Sequence, residues 1–168
     1  LAKIMSEYFS CNSQRKSEMR LKFANTQKEI FSGSILSFGK SAGELTMKLA
    51  TWNPFSNTSN PWFDPEWMFG IEEKFDIVIG NPPYIQIQKF ARTEVQENLE
   101  KAKYKTFAKT GDIYSLFYER GLELTKDGSG LLCFITSNKW MRAGYGEKLR
   151  GYFVSNNPLR LLDFGGFK

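Results

Sequence analysis

The sequence predicts an α/β fold, specifically half of a doubly wound fold with parallel strands near residues 75–80, 131–136 and 159–164. Each of these runs is short and apolar, which is typical of strands buried in a parallel sheet. The segments between the runs carry helical patterns, and strands that alternate with helices form right-handed crossovers. We therefore expect helices to cover both faces of the sheet.

The region before the first strand, residues 1–70, is expected to be a helical and loop segment, and residues 71–168 the C-terminal half of the α/β domain. Ile4, Tyr8, Met19 and Phe23 fall near a helical spacing, and residues 44–52 predict a second, shorter helix. The basic residues of the first helix could contact phosphates, but a solvated helix face is the favoured interpretation.

The sequence Asn81-Pro82-Pro83-Tyr84 directly follows the first strand. Each proline keeps the residue before it out of the α region, so the chain leaves the sheet as a stiff, extended turn. Open α/β sheets bind their ligands at such strand ends. The Asn81 side-chain oxygen and the Pro82 carbonyl could each accept a hydrogen from a delocalised amine and direct its lone pair at an incoming methyl group. The Tyr84 ring offers a stacking surface for a flipped base.

Two helices are predicted between the first and second strands. Residues 93–105 show a charged helical pattern, and a second helix follows Asp112, a good N-cap residue. The expected buried side of that second helix consists of Ile113, Leu116, Phe117 and Leu124. Residues 138–154 predict a further helix, which ends before the third strand.

The tetrapeptide 81–84 resembles motif IV of the amino-methyltransferases, in the form used by N6-adenine DNA methyltransferases, glutamine methyltransferases of release factors and some RNA methylases. Later segments narrow this resemblance. Residues 111–119 and 130–140 are similar to motifs V and VI of the gamma-class adenine methyltransferases in type IIG enzymes, often grouped with type IIS, and 161–165 to the segment that follows. The likeness covers roughly residues 45–168.

This resemblance implies a Rossmann-like domain that transfers a methyl group from S-adenosylmethionine to a flipped adenine in double-stranded DNA, within a cytoplasmic restriction-modification system. It implies Asn81, Pro82 and Tyr84 as catalytic residues, with Pro83 contacting the substrate. Two alternatives stay open. One is an amino-methyltransferase acting on RNA or on protein glutamine, and the other is a noncatalytic DNA-binding module.

The resemblance also implies that Asp112 and Tyr114 form part of the wall of the S-adenosylmethionine pocket, although Asp112 could be no more than a helix cap. The glycine-rich turn and the acidic residue that hold most of this cofactor in the family have no counterpart here. We expect them to precede Leu1 and the 168 residues alone to be inactive. A sheet without those strands would expose an edge through which copies of the chain could associate.

Composition excludes several other classes of protein. The chain contains no histidine, which removes histidine-based acid–base catalysis and most zinc sites, and we predict no metal site. No apolar stretch reaches membrane-spanning length, so no membrane partner is expected. Cys11 and Cys133 are far apart and suit reduced thiols, with Cys133 expected in the core.

Charge favours a polyanionic partner, since the net charge is +5. The densest basic run could line a DNA cleft or be a solvated face, and it consists of Lys101, Lys103, Lys105 and Lys109.

Three patterns imitate other sites and are not favoured. Asp64 followed by Glu72-Glu73-Lys74 partly matches the metal site of restriction nucleases, but Asp64 belongs to an Asp-Pro turn rather than to a strand. The glycines at 33, 39 and 43 lack the spacing of a dinucleotide-binding loop. Asn53-Pro54-Phe55 copies part of motif IV but follows a helical pattern, so it is interpreted as a turn that ends a helix.

Overall fold

The computed structural model describes residues 1–34, 40–56, 58, 60 and 62–165. Position 39, one of the loop glycines weighed above, lies outside these residues. The chain divides into two compact units, Leu1–Glu73 and Lys74–Lys168, which are described separately. None of the helices in the described ranges combines the length and apolar character needed to cross a membrane.

The first unit is helical, with α1 at Ala2–Ser10, α2 at Ser13–Ser34, α3 at Lys40–Thr51 and the short α4 at Pro65–Phe69. The helical spacing of Ile4, Tyr8, Met19 and Phe23 predicted one long helix, but Cys11 is extended and Asn12 accepts a hydrogen bond from the Arg15 amide. An asparagine side chain that satisfies a free N–H group starts a new helix. The core of this unit comprises Ile4, Met5, Met19, Phe23, Trp52 and Met68.

The Asp64-Pro65 turn is the start of α4. The Asp64 carboxylate accepts a hydrogen bond from the Trp67 amide at 3.1 Å, and Pro65 occupies the first helical position. Gly70 ends the helix in the left-handed conformation, with φ of 70°. Asp64 thus has a capping role, which leaves the nuclease-like pattern without its first carboxylate.

The second unit is built on two parallel strands, β1 at Ile77–Gly80 and β2 at Leu131–Phe134, paired from Ile77 with Leu131 to Gly80 with Phe134. The predicted mixture of helices and parallel strands is confirmed at these two positions. Between the strands lie a 3-10 turn at Ile87–Phe90, α5 at Glu94–Lys101 and α6 at Tyr114–Leu124. After β2 come 3-10 turns at Asn138–Met141 and Gly144–Gly146, and then α7 at Glu147–Ser155.

The predicted third strand is wrong for the described residues. Residues 159–164 form no strand, and in the described part of the chain none of their backbone groups is bonded to another backbone group. Leu159 is 88% exposed and Phe164 is 70% exposed. An apolar run becomes a strand only where another strand offers N–H and C=O groups, and the β1–β2 pair does not do so here.

Only one face of the β1–β2 sheet is covered by a helix of this unit. Leu132 and Phe134 lie against α6, where a Cβ atom at Gly121 would come within 2.7 Å of the Leu132 side chain, so glycine permits the close approach. Successive side chains of a strand alternate in direction, so the opposite face carries the other residues. That bare face consists of the exposed residues Ile77, Ile79, Leu131 and Cys133.

Two predictions fail for this reason. The sheet is not covered on both faces by the described residues, and Cys133 is exposed rather than part of the core. The core of this unit lies instead between α6, α7 and the first 3-10 turn after β2, around Tyr114, Trp140 and Leu149. Phe117, expected to be buried, is 41% exposed, whereas Leu116 is buried.

Candidate active site

The sequence 81–84 begins where the β-ladder ends. The Ile135 amide donates to the Gly80 carbonyl at 3.2 Å, which is the last backbone bond between the two strand ends. Beyond it Pro82 is buried, while Asn81, Pro83 and Tyr84 are exposed. The buried proline anchors the turn, and the polar groups next to it remain accessible.

The Tyr84 hydroxyl fixes the side chain of Asn81. It lies 2.7 Å from the Asn81 Oδ1 atom and 3.2 Å from the Ile135 carbonyl oxygen. A phenol has a single hydrogen to donate, so these two oxygens are alternative acceptors for it. The contact with Ile135 connects the residues that follow β1 with those that follow β2.

A short antiparallel pairing brings the predicted cofactor wall to this turn. The Ile113 amide donates to the Ile85 carbonyl, and the Ile87 amide donates to the Gly111 carbonyl, each at 2.8 Å. Gln86 and Asp112 are paired between these two bonds. The start of α6 is thereby placed immediately beside the chain that leaves Tyr84.

Asp112 is not the N-cap of α6, which contradicts the capping role considered above. Ile113 occupies that position, with no side-chain cap. The buried Asp112 carboxylate instead accepts a hydrogen bond from the Tyr145 hydroxyl at 2.9 Å. Burial, together with the Asp112 carboxylate, raises the pKa of Tyr145, which keeps this hydroxyl a donor.

Tyr114 lies behind Tyr84. The two rings meet edge to face with centroids 6.2 Å apart, and Tyr114 is fully buried. Its hydroxyl makes no hydrogen bond within 3.5 Å among the described residues. Burial raises its pKa, and the nearby Tyr145 hydroxyl and Asp112 carboxylate raise it further. A buried hydroxyl of this kind is costly unless another molecule satisfies it.

The family model described as Eco57I restriction-modification methylase matches residues 3–168. The chain belongs to this family. The predicted likeness to restriction-modification methyltransferases is therefore confirmed, and the Asn81 turn lies within the matched region.

Three curated proteins are similar in sequence to this Eco57I-type chain. The chain is 34% identical over 94 residues to the type II restriction enzyme and methyltransferase RM.Eco57I of Escherichia coli, which covers 55% of this chain and 9% of that protein. It is 38% identical over 91 residues to the type II methyltransferase M.PaeR7I of Pseudomonas aeruginosa, covering 54% and 15%. It is 29% identical over 119 residues to the adenine-specific methyltransferase PglX of Streptomyces coelicolor, covering 69% and 10%.

The matched part of this Eco57I-type chain thus spans 9% to 15% of the length of these relatives. No solved structure matches it.

The second unit of this Eco57I-type chain carries two sets of basic residues, and the two sets differ in their ionic partners. Lys101 pairs with Glu97 at 3.7 Å and Lys109 with Glu100 at 3.1 Å. The bond from Lys109 lowers the pKa of Glu100, so this carboxylate stays charged. These two pairs favour the solvated-surface interpretation of the lysine run, of which only Lys101 lies in a helix.

Three residues of this region were not predicted from the sequence as site residues. Tyr145 gives no polar signal within Gly144-Tyr145-Gly146, and its contact with Asp112 spans 33 positions. Lys139 and Arg142 lie in the segment after β2, and no carboxylate of the described residues is ion-paired with either. The sequence signal for the two cations was their place after a strand end.

Proposed function

We propose that the complete protein is a site-specific adenine-N6 DNA methyltransferase of a restriction-modification system, with a doubly wound, Rossmann-like catalytic domain. The observation that carries this proposal is the Tyr84 hydroxyl, which holds Asn81 at the carboxyl end of a parallel strand in a chain of the Eco57I family. Adenine as the target is supported by the name of PglX, an adenine-specific methyltransferase.

The two acceptors of the site suit the two hydrogens of an exocyclic amine. The Asn81 Oδ1 atom would take one and the Pro82 carbonyl oxygen the other, which localises the lone pair on nitrogen. The Pro82 carbonyl has no backbone partner among the described residues. No histidine or covalent intermediate is required for this arrangement.

The Tyr84 hydroxyl has a second acceptor, the Ile135 carbonyl oxygen, which it can use when an amine is bound. If the amine occupies Asn81 Oδ1, the Tyr84 hydroxyl can donate to the Ile135 carbonyl, 3.2 Å away, without losing a hydrogen bond. Pro83 would border the bound base, and the exposed Tyr84 ring would stack on it once it has been flipped out of the duplex. The double helix is therefore the proposed macromolecular partner.

Asp112 and Tyr114 have the properties expected of part of a cofactor site. The Asp112 carboxylate keeps acceptor capacity beyond its bond from Tyr145, and the buried Tyr114 hydroxyl lacks a partner in the described chain. Both suit a polar ligand. S-adenosylmethionine, when bound, would supply the methyl group, while Tyr145 orients the Asp112 carboxylate and Tyr114 supports the Tyr84 ring.

The test is transfer of radiolabelled methyl groups from S-adenosylmethionine to duplex DNA, with the complete protein beside its Asn81→Ala variant. The matched control is Asn98→Ala, the same change at an exposed position of α5. We expect label on adenine that disappears only with Asn81→Ala. Label on RNA or on protein glutamine, with none on DNA, would overturn the DNA assignment, and equal activity of both variants would overturn the site.

A further inference from the structure

The segment after β2 leaves the sheet at the same edge as the Asn81 turn. Because β1 and β2 are parallel, their carboxyl ends point to one side. The 3.2 Å contact between the Tyr84 hydroxyl and the Ile135 carbonyl shows how near the two chain segments are. Lys139 and Arg142 follow Ile135 by four and seven positions. They therefore belong to the segment that leaves β2 at the same edge of the sheet as the proposed target-base site.

A cleft of about 550 Å³ lies along this segment, and its wall includes Asn138, Lys139, Arg142, Tyr145 and Asp163. Tyr145 is also the donor to Asp112, so one residue of the cleft wall contacts the predicted cofactor wall. Lys139 and Arg142 are both exposed. This places two exposed cationic groups beside an open cleft.

The charges of the cleft leave its two cations available. Asp163 is the acidic residue of this lining, and its Oδ1 atom accepts from Asn138 Nδ2 at 3.1 Å and from the Gly165 amide at 3.0 Å. These bonds, the Gly165 one first, lower the pKa of Asp163, and the charge of Arg142 lowers it further. No cation of the described residues lies within ion-pair distance, 4.0 Å, of Asp163. Two cations and one carboxylate therefore leave the cleft with a net positive charge.

The backbone that carries the two cations is held firmly. Arg150 donates from Nη1 to the Trp140 carbonyl at 2.6 Å and to the Ala143 carbonyl at 2.9 Å. Trp140, between the two cations, is buried against Leu149 and Phe153. Because this backbone is already held in place, only the two exposed side chains have to be ordered when a polyanion binds.

We propose that Lys139 and Arg142 bind the phosphate backbone of DNA beside the flipped adenine, and this rests on the proposed function. Phosphate contacts fix the register of a protein on the duplex without reading sequence. Arg142 would engage a phosphate with its planar guanidinium, and Lys139 would act as a point charge. The lysine run at 101–109, which was weighed as the DNA contact, has carboxylate partners at Lys101 and Lys109 and is not needed for it.

The experiment measures duplex DNA affinity of the complete protein as a function of NaCl concentration. The variants are Lys139→Gln with Arg142→Gln, and the matched control is Lys101→Gln with Lys109→Gln, which removes the same two charges. We expect the slope of log affinity against log salt to become shallower by about 0.9 for each lost phosphate contact. Affinity at moderate salt should fall on the order of tenfold, and the control should keep the parental slope.

One further variant keeps the outcome clear. Arg142→Lys keeps the charge and should retain most of the parental slope, which excludes a folding defect as the cause of a shallower slope. An unchanged slope in the double variant, or an equal change in the control, would overturn the proposal. So would loss of affinity for single-stranded RNA without loss for duplex DNA. A changed slope in a protein that never methylates DNA would retain the phosphate site and reject the proposed function.

Discussion

The ends of β1 and β2 differ in chemistry although they lie side by side. After β1 the chain carries a carboxamide, two prolines and a tyrosine, with no charge, and its side chains are bonded to one another. After β2 it carries Lys139 and Arg142 beside a cleft, without ion-paired carboxylates in the described chain. The neutral oxygens after β1 can accept hydrogens from an amine and so direct its lone pair. The positive charges after β2 can bind a polyanion. The proposed roles thus divide reaction and attachment between the two strand ends.

The strongest test of this separation compares rate with affinity. Asn81→Ala removes the acceptor for the amine and should lower the methylation rate at saturating DNA by about a hundredfold, as for other preorganised polar contacts. Its DNA affinity should stay within a factor of two, since no phosphate contact is lost. Single-turnover methylation and equilibrium binding, measured on one preparation, check both values. A parallel loss of affinity would show that the two functions are not divided between the strand ends.

The tyrosine that joins the strand ends should give a graded result. Tyr84→Ala removes the stacking surface, worth about 1–3 kcal/mol per base, whereas Tyr84→Phe removes only the hydroxyl. We expect the phenylalanine variant to lose roughly threefold to tenfold in rate, as expected for one hydrogen bond of about 1 kcal/mol. Rates of both variants, with binding to duplexes containing a mismatched target base, provide the measurement. Equal losses would mean that the hydroxyl, rather than the ring, dominates.

A smaller effect is expected on the cofactor side. Tyr145→Phe deletes the bond to Asp112 and leaves the buried carboxylate with one donor fewer, at a cost of about 1–3 kcal/mol. The KM for S-adenosylmethionine should rise severalfold while the KM for DNA stays constant. Steady-state kinetics with each substrate varied in turn separate the two constants. A change in the DNA constant alone would assign Tyr145 to the neighbouring cleft instead.

The smallest effect is expected for the ion pairs of α5. Lys101→Gln removes an exposed pair with Glu97 and should change the free energy of unfolding by less than about 1 kcal/mol. DNA affinity should remain at the parental value. Urea unfolding and binding titrations are sufficient, and a clear loss of affinity here would give the lysine run the role that is now proposed for Lys139 and Arg142.

Local pattern predicted the parts of the fold that depend on nearby residues. The apolar runs before Asn81 and Thr136 became paired strands, because each met a partner of the same kind. The run from Leu159 did not, since a strand requires a neighbour that its own sequence cannot specify. Cys133 failed as a core residue for a related reason, because alternation placed it on the uncovered face.

The candidate site shows the same division. Asn81 and Tyr84 could be predicted as site residues because they belong to one tetrapeptide, and a hydrogen bond joins them in the structure. The bond from Tyr145 to Asp112 could not, because it joins positions 33 residues apart whose proximity depends on α6, α7 and Trp140 packing together. The catalytic roles of Asn81 and Tyr84 and the cofactor role of Asp112 remain predictions.

The bare face of the β1–β2 sheet also provides a built-in reporter. Cys133 presents its thiol there, next to Ile77, Ile79 and Leu131, whereas Cys11 is half-buried and donates to the Tyr8 carbonyl. A thiol-reactive dye would therefore label Cys133 first in the 168-residue chain. The labelling rate of the same cysteine in the complete protein would show directly how much of that apolar face is shielded from water.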